Sequence, residues 1–80
     1  MDKKVYAIKK NETDEIRITL REYKGEQYVD IRLFFQPKDE EEMRPRKKGV
    51  MLTLFQFSAL RKGLDQVKDF IPETQKSGKE

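Results

Sequence analysis

The 80-residue sequence contains no cysteine and no histidine. Without cysteine the chain cannot form disulfides, and it lacks the thiolate ligands of structural zinc sites. Without histidine it lacks both the commonest metal ligand and the usual general base of enzymes. We therefore expect no catalysis, no metal site and no other cofactor.

Long apolar segments are also missing from the sequence. No run approaches the roughly 20 apolar residues that cross a bilayer. The lysines near the N-terminus are not followed by the apolar segment of a secretory signal. We expect a soluble, intracellular protein with no membrane partner.

Charge is abundant and is sorted along the chain. Charged residues make up 41% of the sequence and hydrophobic residues 35%, so the apolar material suffices for one small domain. The net charge is +3, but residues 39–42 are all acidic. The segment that follows, residues 43–48, is basic and holds Arg44, Arg46, Lys47 and Lys48.

Two alternating runs in residues 16–35, joined by Lys24 and Gly25, predict an antiparallel β-hairpin. One side of this hairpin, the aliphatic face, suits a core. It consists of Ile16, Ile18, Leu20, Val29, Ile31 and Leu33. The other side, the polar face, mixes arginines with aromatic rings, which an ordinary solvated sheet face does not require. It consists of Arg17, Thr19, Arg21, Tyr23, Tyr28, Asp30, Arg32 and Phe34.

Phe34 and Phe35, at the end of the hairpin, point to opposite sides of a regular strand. Alternation places Phe34 with Arg32 on the polar face and Phe35 with Leu33 on the aliphatic face. A twist or a bulge next to Pro37 could exchange them. We expect one of the two rings to belong to the core.

Weaker strand signals flank the hairpin. Residues 5–8 predict a short edge strand or a frayed arm. Pro37 ends the hairpin, because proline cannot donate a hydrogen bond to a continuing ladder. Pro45 and Gly49 then predict an irregular, bulged edge strand, with regular pairing over residues 49–52.

A helix is expected directly after this strand. Thr53 and Gln56 have the spacing of a capping box. Pro72 ends the helix, and residues 72–80 are expected to form a disordered tail. The apolar residues of the helix recur every three or four positions, as one stripe of an amphipathic helix. They are Phe57, Leu60, Leu64, Val67 and Ile71.

Gly63 is unusual, because glycine in the middle of a helix costs about 1 kcal/mol relative to alanine. It predicts either a bend in the helix or the close approach of another backbone. Since strands precede one helix and no repeat is visible, the order of elements indicates a single α+β domain.

The polar face and the basic segment together favour binding of single-stranded nucleic acid. Such binding needs a positively charged groove for phosphates and exposed rings on which bases stack. Each residue taken alone also suits ordinary packing or a solvated loop. The whole set on neighbouring strands favours binding.

Four segments in order resemble the C-terminal domain of the family of transcriptional coactivator p15, also called positive cofactor four. They are LREYKG (20–25), VDIRLFF (29–35), MRPRKKGVMLT (43–53) and the helix after them. An acidic loop before the basic segment adds to the similarity, which covers about residues 16–71. The chain looks like a compact prokaryotic or viral member.

The resemblance implies one domain over residues 1–71, with a curved four-stranded antiparallel sheet, a kinked C-terminal helix and pairing as a homodimer. It implies largely sequence-independent binding of single-stranded DNA, or of melted duplex, in transcription, replication or repair. It also implies contact with the transcription machinery. The DNA-contacting positions of the family fall here on Arg21, Tyr23, Lys24, Arg32, Phe35, Arg44, Lys47 and Lys48.

Phe35 takes the place of a stacking tryptophan of the family, which makes it the ligand-side ring of the pair. Two other functions stay open: a protein-interaction adaptor in transcription, and an RNA-binding or RNA-chaperone protein that uses the same surface. Nothing in the sequence reads the 2′-hydroxyl that separates RNA from DNA. We expect a cytoplasmic, nucleoid-associated protein in a prokaryotic host and a nuclear one in a eukaryote.

Overall fold

A computed structural model describes residues 2–72, so most of the expected tail lies outside the described residues. The chain forms four strands, then α1, then a 3-10 turn at Lys68–Phe70. The strands pair antiparallel in one sheet, in the order β1-β2-β3-β4. This confirms the predicted α+β fold with a four-stranded antiparallel sheet and one C-terminal helix. The elements are β1 (Lys3–Lys9), β2 (Asp14–Tyr23), β3 (Glu26–Phe35), β4 (Arg44–Thr53) and α1 (Leu54–Val67).

The predicted hairpin is formed by β2 and β3. Their pairing runs without a register shift from Tyr23 opposite Glu26 to Asp14 opposite Phe35. Lys24 and Gly25 make the turn with φ values of 53° and 81°. Positive φ at both central residues is the geometry that matches the twist of a two-residue hairpin.

β4 is longer than the predicted pairing over residues 49–52, and it carries the expected bulge. Gly49 lies opposite Arg32, whereas Pro45 lies opposite Phe34. Residues 46–48 therefore face a single residue of β3, and the ladder is interrupted there. Pro45, near the start of β4, is tolerated because this strand is an edge of the sheet.

The capping box at the start of α1 is confirmed. The Thr53 hydroxyl accepts from the Gln56 N–H at 3.1 Å, and the Thr53 N–H donates to Gln56 Oε1 at 3.0 Å. The α-helix ends at Val67, earlier than predicted, and tightens into the 3-10 turn. Ile71 is extended, with φ −92° and ψ 125°, because it precedes Pro72 and proline disfavours the helical conformation of the residue before it.

The helix covers little of the aliphatic face. No Cα of α1 lies within 8 Å of a Cα in β1 or β2. Within residues 2–72, Val29 is the one buried apolar side chain, at 7% exposure. Leu64 and Val67, on the predicted apolar stripe of α1, remain more than half exposed. The apolar surfaces predicted from the alternation are present, but a single copy of the chain leaves them partly open.

Two glycines occupy opposite environments. A Cβ atom built on Gly49 would lie 2.8 Å from the carbonyl oxygen of Ile31 and 2.9 Å from the Cα of Arg32. Both are backbone atoms that cannot move aside without disturbing β3. At Gly63 no atom of another element among residues 2–72 lies within 4 Å of the built Cβ. α1 is continuous through Gly63, and the bend expected there stays a prediction.

We expect Gly49→Ala to lower the free energy of unfolding by about 1–3 kcal/mol, because the added methyl group displaces the backbone of β3. Gly63→Ala is the control, and its higher helix propensity should raise that free energy by about 0.5–1 kcal/mol. Urea denaturation at one protein concentration measures both changes. Full stability of Gly49→Ala would contradict the close approach, and a destabilised Gly63→Ala would mean that another chain packs there.

Candidate nucleic-acid interface

The polar face of the sheet forms a groove of about 460 Å³, which we name the arginine groove. Its floor comes from alternate residues of β2 and β3, and its wall comes from the bulge of β4. Side chains of one parity therefore converge on one side of the sheet. The lining residues are Asp2, Thr19, Arg21, Asp30, Arg32, Phe34, Pro45, Arg46 and Lys47.

Asp30 lies at the centre of this basic groove. Its side chain is 7% exposed, while those of Arg21 and Arg32 are 42% and 22% exposed. Arg21 Nη1 donates to Asp30 Oδ2 at 3.1 Å, and Arg32 Nε donates to Asp30 Oδ1 at 3.1 Å. One buried carboxylate thus holds two guanidinium groups that come from different strands.

The bulge of β4 holds the other side of Arg32. Arg32 Nη1 donates to the carbonyl oxygens of Lys47 at 3.1 Å and Arg46 at 3.4 Å. These carbonyls are available because residues 46–48 lie outside the regular ladder. The irregularity predicted from Pro45 and Gly49 therefore joins the basic segment to the arginine groove.

Each phenylalanine at the end of β3 is covered by an arginine. The guanidinium carbon of Arg17 lies 4.0 Å from the centre of the Phe34 ring, and that of Arg46 lies 4.3 Å from the centre of the Phe35 ring. Both distances are in the range of cation–π contacts. Arg46 is also tied to Asp14, since its Nε donates to Asp14 Oδ2 at 3.3 Å.

The two phenylalanines keep the faces that simple alternation gives them. Phe34 lies opposite Glu15 and Phe35 lies opposite Asp14, without a register shift between β2 and β3. Phe34 lines the arginine groove and Phe35 does not. Both rings are half-buried. The role of Phe35 as the ligand-side ring, which the resemblance implies, stays a prediction.

A second depression, of about 420 Å³, adjoins the arginine groove and shares Arg21 with it. It is lined by Glu22, Tyr23, Tyr28 and Met51 as well. Tyr23 is 64% exposed at the end of β2, and the Nζ of Lys24 lies 5.3 Å from the centre of its ring. The polar face therefore offers an exposed ring at one end and arginines along its length.

The remaining predicted residues surround these depressions. Lys48 lines a third depression, with Lys10 and Leu33 among its neighbours, and Arg46 and Lys47 line it too. Arg44 lies opposite Phe35 and is paired with Glu40 of the acidic loop at 2.8 Å. The structure thus brings together Arg21, Arg32 and Lys47, with Tyr23 and Lys24 beside them. The far end of the sheet holds Arg44 and Phe35.

Four residues of the site were not among the eight positions that the family resemblance implies: Arg17, Asp30, Phe34 and Arg46. The polar face and the basic segment defined from the sequence already contained all four. For Asp30 a signal existed, since it stands two residues before Arg32 and residues two apart on a strand share a face. The burial of its charge carried no signal in the sequence. For Arg17 and Arg46 the signal was weaker, because their stacking depends on the register of neighbouring strands.

Three further features are absent from residues 2–72. This part of the chain contains no group of three or more acidic residues, histidines or cysteines placed to hold a metal ion. Over the same residues, no helix is long and apolar enough to cross a membrane. Nor does any buried side-chain nitrogen or oxygen there lack a hydrogen-bond partner.

Asp14 has a lowered pKa, and its hydrogen bonds explain why. The Thr13 hydroxyl donates to Asp14 Oδ1 at 2.8 Å, and this bond is the main cause of the low pKa. The hydrogen bond and the charge of Arg46 lower the pKa further, while partial desolvation opposes them. The folded state therefore favours the charged carboxylate of Asp14. The resulting stabilisation of the fold is complete above the pH at which an unfolded aspartate titrates. It is lost as the pH falls through the pKa of Asp14 in the folded state.

We expect Thr13→Ala to raise the pKa of Asp14 toward its usual value, because the variant loses the hydroxyl donor. Thr13→Ser keeps the hydroxyl and should keep the low pKa. Titration of the Asp14 side-chain carboxyl carbon by NMR measures the midpoint in each variant. An unchanged midpoint in Thr13→Ala would contradict the assigned cause.

Two solved structures of PC4 homologs are similar to this chain. A crystal structure of a PC4 homolog from Burkholderia pseudomallei K96243 superposes with a TM-score of 0.75 at 26% identity, over 85% of this chain and 98% of that one. A bacteriophage T5 homolog of the eukaryotic transcription coactivator PC4, implicated in recombination-dependent DNA replication, gives a TM-score of 0.68 at 25% identity, over 82% of this chain and 75% of that one.

Sequence comparison points the same way. A Caenorhabditis elegans protein named "Putative RNA polymerase II transcriptional coactivator" is 36% identical over 58 residues, which are 72% of this chain. The chain spans 41% of the length of that relative. The model of the family Transcriptional Coactivator p15 (PC4) matches residues 10–63, which is more than half of the sequence. The chain is a member of the p15 (PC4) transcriptional coactivator family.

Proposed function

We propose that this protein is a homodimer that binds single-stranded DNA with little sequence preference. The observation that carries the proposal is the arginine groove, which adjoins the exposed ring of Tyr23 on the same face of the sheet. Arginines and lysines neutralise phosphates, and an exposed ring stacks on any base. A single strand exposes both its backbone and its bases, whereas a duplex keeps its bases stacked inside.

The lack of sequence preference follows from the groups that face the groove. Guanidinium and ammonium groups contact phosphates, which carry no sequence information directly. Stacking on tyrosine or phenylalanine tolerates every base. The polar face is also a shallow surface of a sheet, rather than a helix or ribbon that would enter the major groove of a duplex.

The homodimer is supported by the apolar surface that one copy leaves open. On the sheet, Ile8 and Val50 are nearly half exposed on the side of the aliphatic face. On α1, Leu64 and Val67 are more than half exposed. A second copy related by a twofold axis would cover the same surface on both chains. Oligomerisation is also one of the means by which so small a domain gains stability.

The cellular role is proposed from the relatives. The Caenorhabditis elegans relative carries a coactivator name, and the phage T5 homolog is implicated in recombination-dependent DNA replication. Both roles involve exposed single strands. We assign this protein to transcription regulation or to replication and repair, with contact to the transcription machinery in the former case.

The proposal predicts a preference for single-stranded DNA that weakens with salt. Fluorescence anisotropy with labelled single strands, the matching duplex and the matching RNA, each about 20 nucleotides long, measures it. Binding at about 50 and 200 mM salt should differ steeply, because each phosphate contact releases counterions. Tighter binding of RNA would make RNA the ligand. No binding at low salt would contradict the proposal and favour a protein-interaction adaptor.

The double variant Lys47→Glu, Lys48→Glu should bind single-stranded DNA more weakly. It should also lower the slope of log affinity against log salt by about 1.4, which corresponds to two phosphate contacts. Arg32 is a poorer choice for this test, because Arg32→Glu would place a second carboxylate beside buried Asp30. Arg61→Glu with Lys62→Glu is the matched control, since this adjacent basic pair lies on exposed α1. Equal losses in both double variants would place the interface elsewhere.

Tyr23→Ala should weaken binding of single-stranded DNA by roughly 5- to 150-fold, which is the range of one lost stacking contact. Tyr6→Ala is a close control, because Tyr6 is 63% exposed and Tyr23 is 64% exposed. Tyr6 lies opposite Ile18, on the side of the aliphatic face. Anisotropy titrations of both variants give the comparison. A larger loss for Tyr6→Ala would move the ligand to the other face.

Leu64→Asp should shift the protein from dimer to monomer, because it places a charge on the exposed apolar stripe of α1. Gln66→Asp changes the net charge equally on the same helix and should remain a dimer. Sedimentation equilibrium over a range of protein concentrations measures the mass. A monomeric wild-type protein, or a dimeric Leu64→Asp variant, would contradict the proposed dimer surface.

A further inference from the structure

We propose that Asp30 is a positioning residue for nucleic-acid binding, which holds Arg21 and Arg32 in one fixed arrangement on the polar face. This inference rests on the proposed function. Asp30 is the one buried charged residue among residues 2–72, at 5% exposure. Because the carboxylate of Asp30 repels phosphates, its charge alone weakens binding of nucleic acid in the groove. Its presence there indicates a second effect that favours binding.

Sheet formation does not require an acid at this position. Aspartate is depleted in strands, and a buried ion pair is often matched or exceeded in stability by apolar residues of similar size. Asp30 lies opposite Thr19 on β2 and opposite Met51 on β4, so a β-branched or apolar side chain would suit its neighbours. The feature that Asp30 adds is its pair of carboxylate oxygens.

Those oxygens fix two arginines that otherwise have flexible side chains. Arg21 is held through Nη1 by Asp30 and through Nε by Asp2 at 3.3 Å. Arg32 is held through Nε by Asp30 and through Nη1 by the carbonyl of Lys47. These bonds use Nε and Nη1 of each guanidinium and leave the Nη2 groups for a ligand, since a guanidinium carries five N–H donors.

Fixing the two side chains in the free protein favours binding. A free arginine side chain loses rotamer freedom when it is ordered by a ligand, and that loss opposes association. Asp30 imposes this order before the ligand arrives. It also sets the spacing between an arginine of β2 and an arginine of β3, which aligns both groups with one stretch of backbone phosphates.

The two possible effects of Asp30 predict opposite signs for one substitution. If Asp30 acts through its charge alone, Asp30→Asn makes the groove more positive, and single-stranded DNA binds more tightly. If Asp30 positions the arginines, the same variant binds more weakly despite its extra positive charge. The amide keeps the shape of the side chain, but it supplies one acceptor oxygen in place of two.

We expect Asp30→Asn to weaken binding of a single-stranded oligonucleotide by about tenfold, as for one lost charge-assisted hydrogen bond. Asp65→Asn on exposed α1 adds the same charge and is the matched control, with no loss expected. The effect of Asp30→Asn should shrink to less than about twofold in an Arg21→Gln, Arg32→Gln background, because a residue that acts through other residues has no effect without them.

A measurement on the wild-type protein keeps the test valid if Asp30→Asn fails to fold. NMR relaxation of the arginine Nε–H groups should show Arg21 and Arg32 ordered in the absence of DNA, and Arg61 of α1 mobile. Equal mobility of the three would overturn the proposal. So would a folded Asp30→Asn variant that binds as tightly as wild type or more tightly. Failure of the wild-type protein to bind any single strand is a separate result, and it would overturn the proposed function and this inference together.

Discussion

The register of the β2–β3 hairpin is the constraint on which both surfaces of the sheet depend. Side chains alternate along a strand, so a slip of one residue would exchange the aliphatic and polar faces. The turn at Lys24 and Gly25 fixes this register, because both residues adopt the positive φ of a tight hairpin. Pairing then continues without a shift to Asp14 and Phe35 at the far end. Every arginine of the polar face is placed by this ladder.

The bulge of β4 adds what regular alternation cannot provide. In a regular strand Arg46 and Lys47 would point to opposite sides of the sheet. Because residues 46–48 face a single residue of β3, Arg46 and Lys47 both border the arginine groove and their carbonyls accept from Arg32. The guanidinium of Arg46 lies over the Phe35 ring and is paired with Asp14. Gly49 permits this arrangement, because a side chain at this position would clash with the backbone of β3. The bulge and Gly49 thus place the basic segment beside the arginine groove.

Local signals in the sequence predicted most of the fold, and long-range contacts decided the rest. The hairpin, its turn and the capping box at Thr53 follow from patterns a few residues long, and the structure confirms them. The extent of β4 depends on its pairing with β3, and the helix end at Val67 depends on the tightening of its last turn. Alternation placed Phe34 in the groove, whereas the burial of Asp30 needs the packing of both neighbouring strands.

The two faces of the sheet have different compositions, and the alternation of side chains lets the same strands supply both. The aliphatic face needs apolar contact, which one copy of the chain supplies only in part. The proposed binding of nucleic acid by the polar face requires positive charge held at fixed positions, and charge alone would leave long side chains disordered. Asp30 has properties of both faces. It is buried like a core residue, yet its carboxylate serves the arginines of the polar face. A buried acid therefore lies at the centre of a groove whose other charged residues are mainly basic.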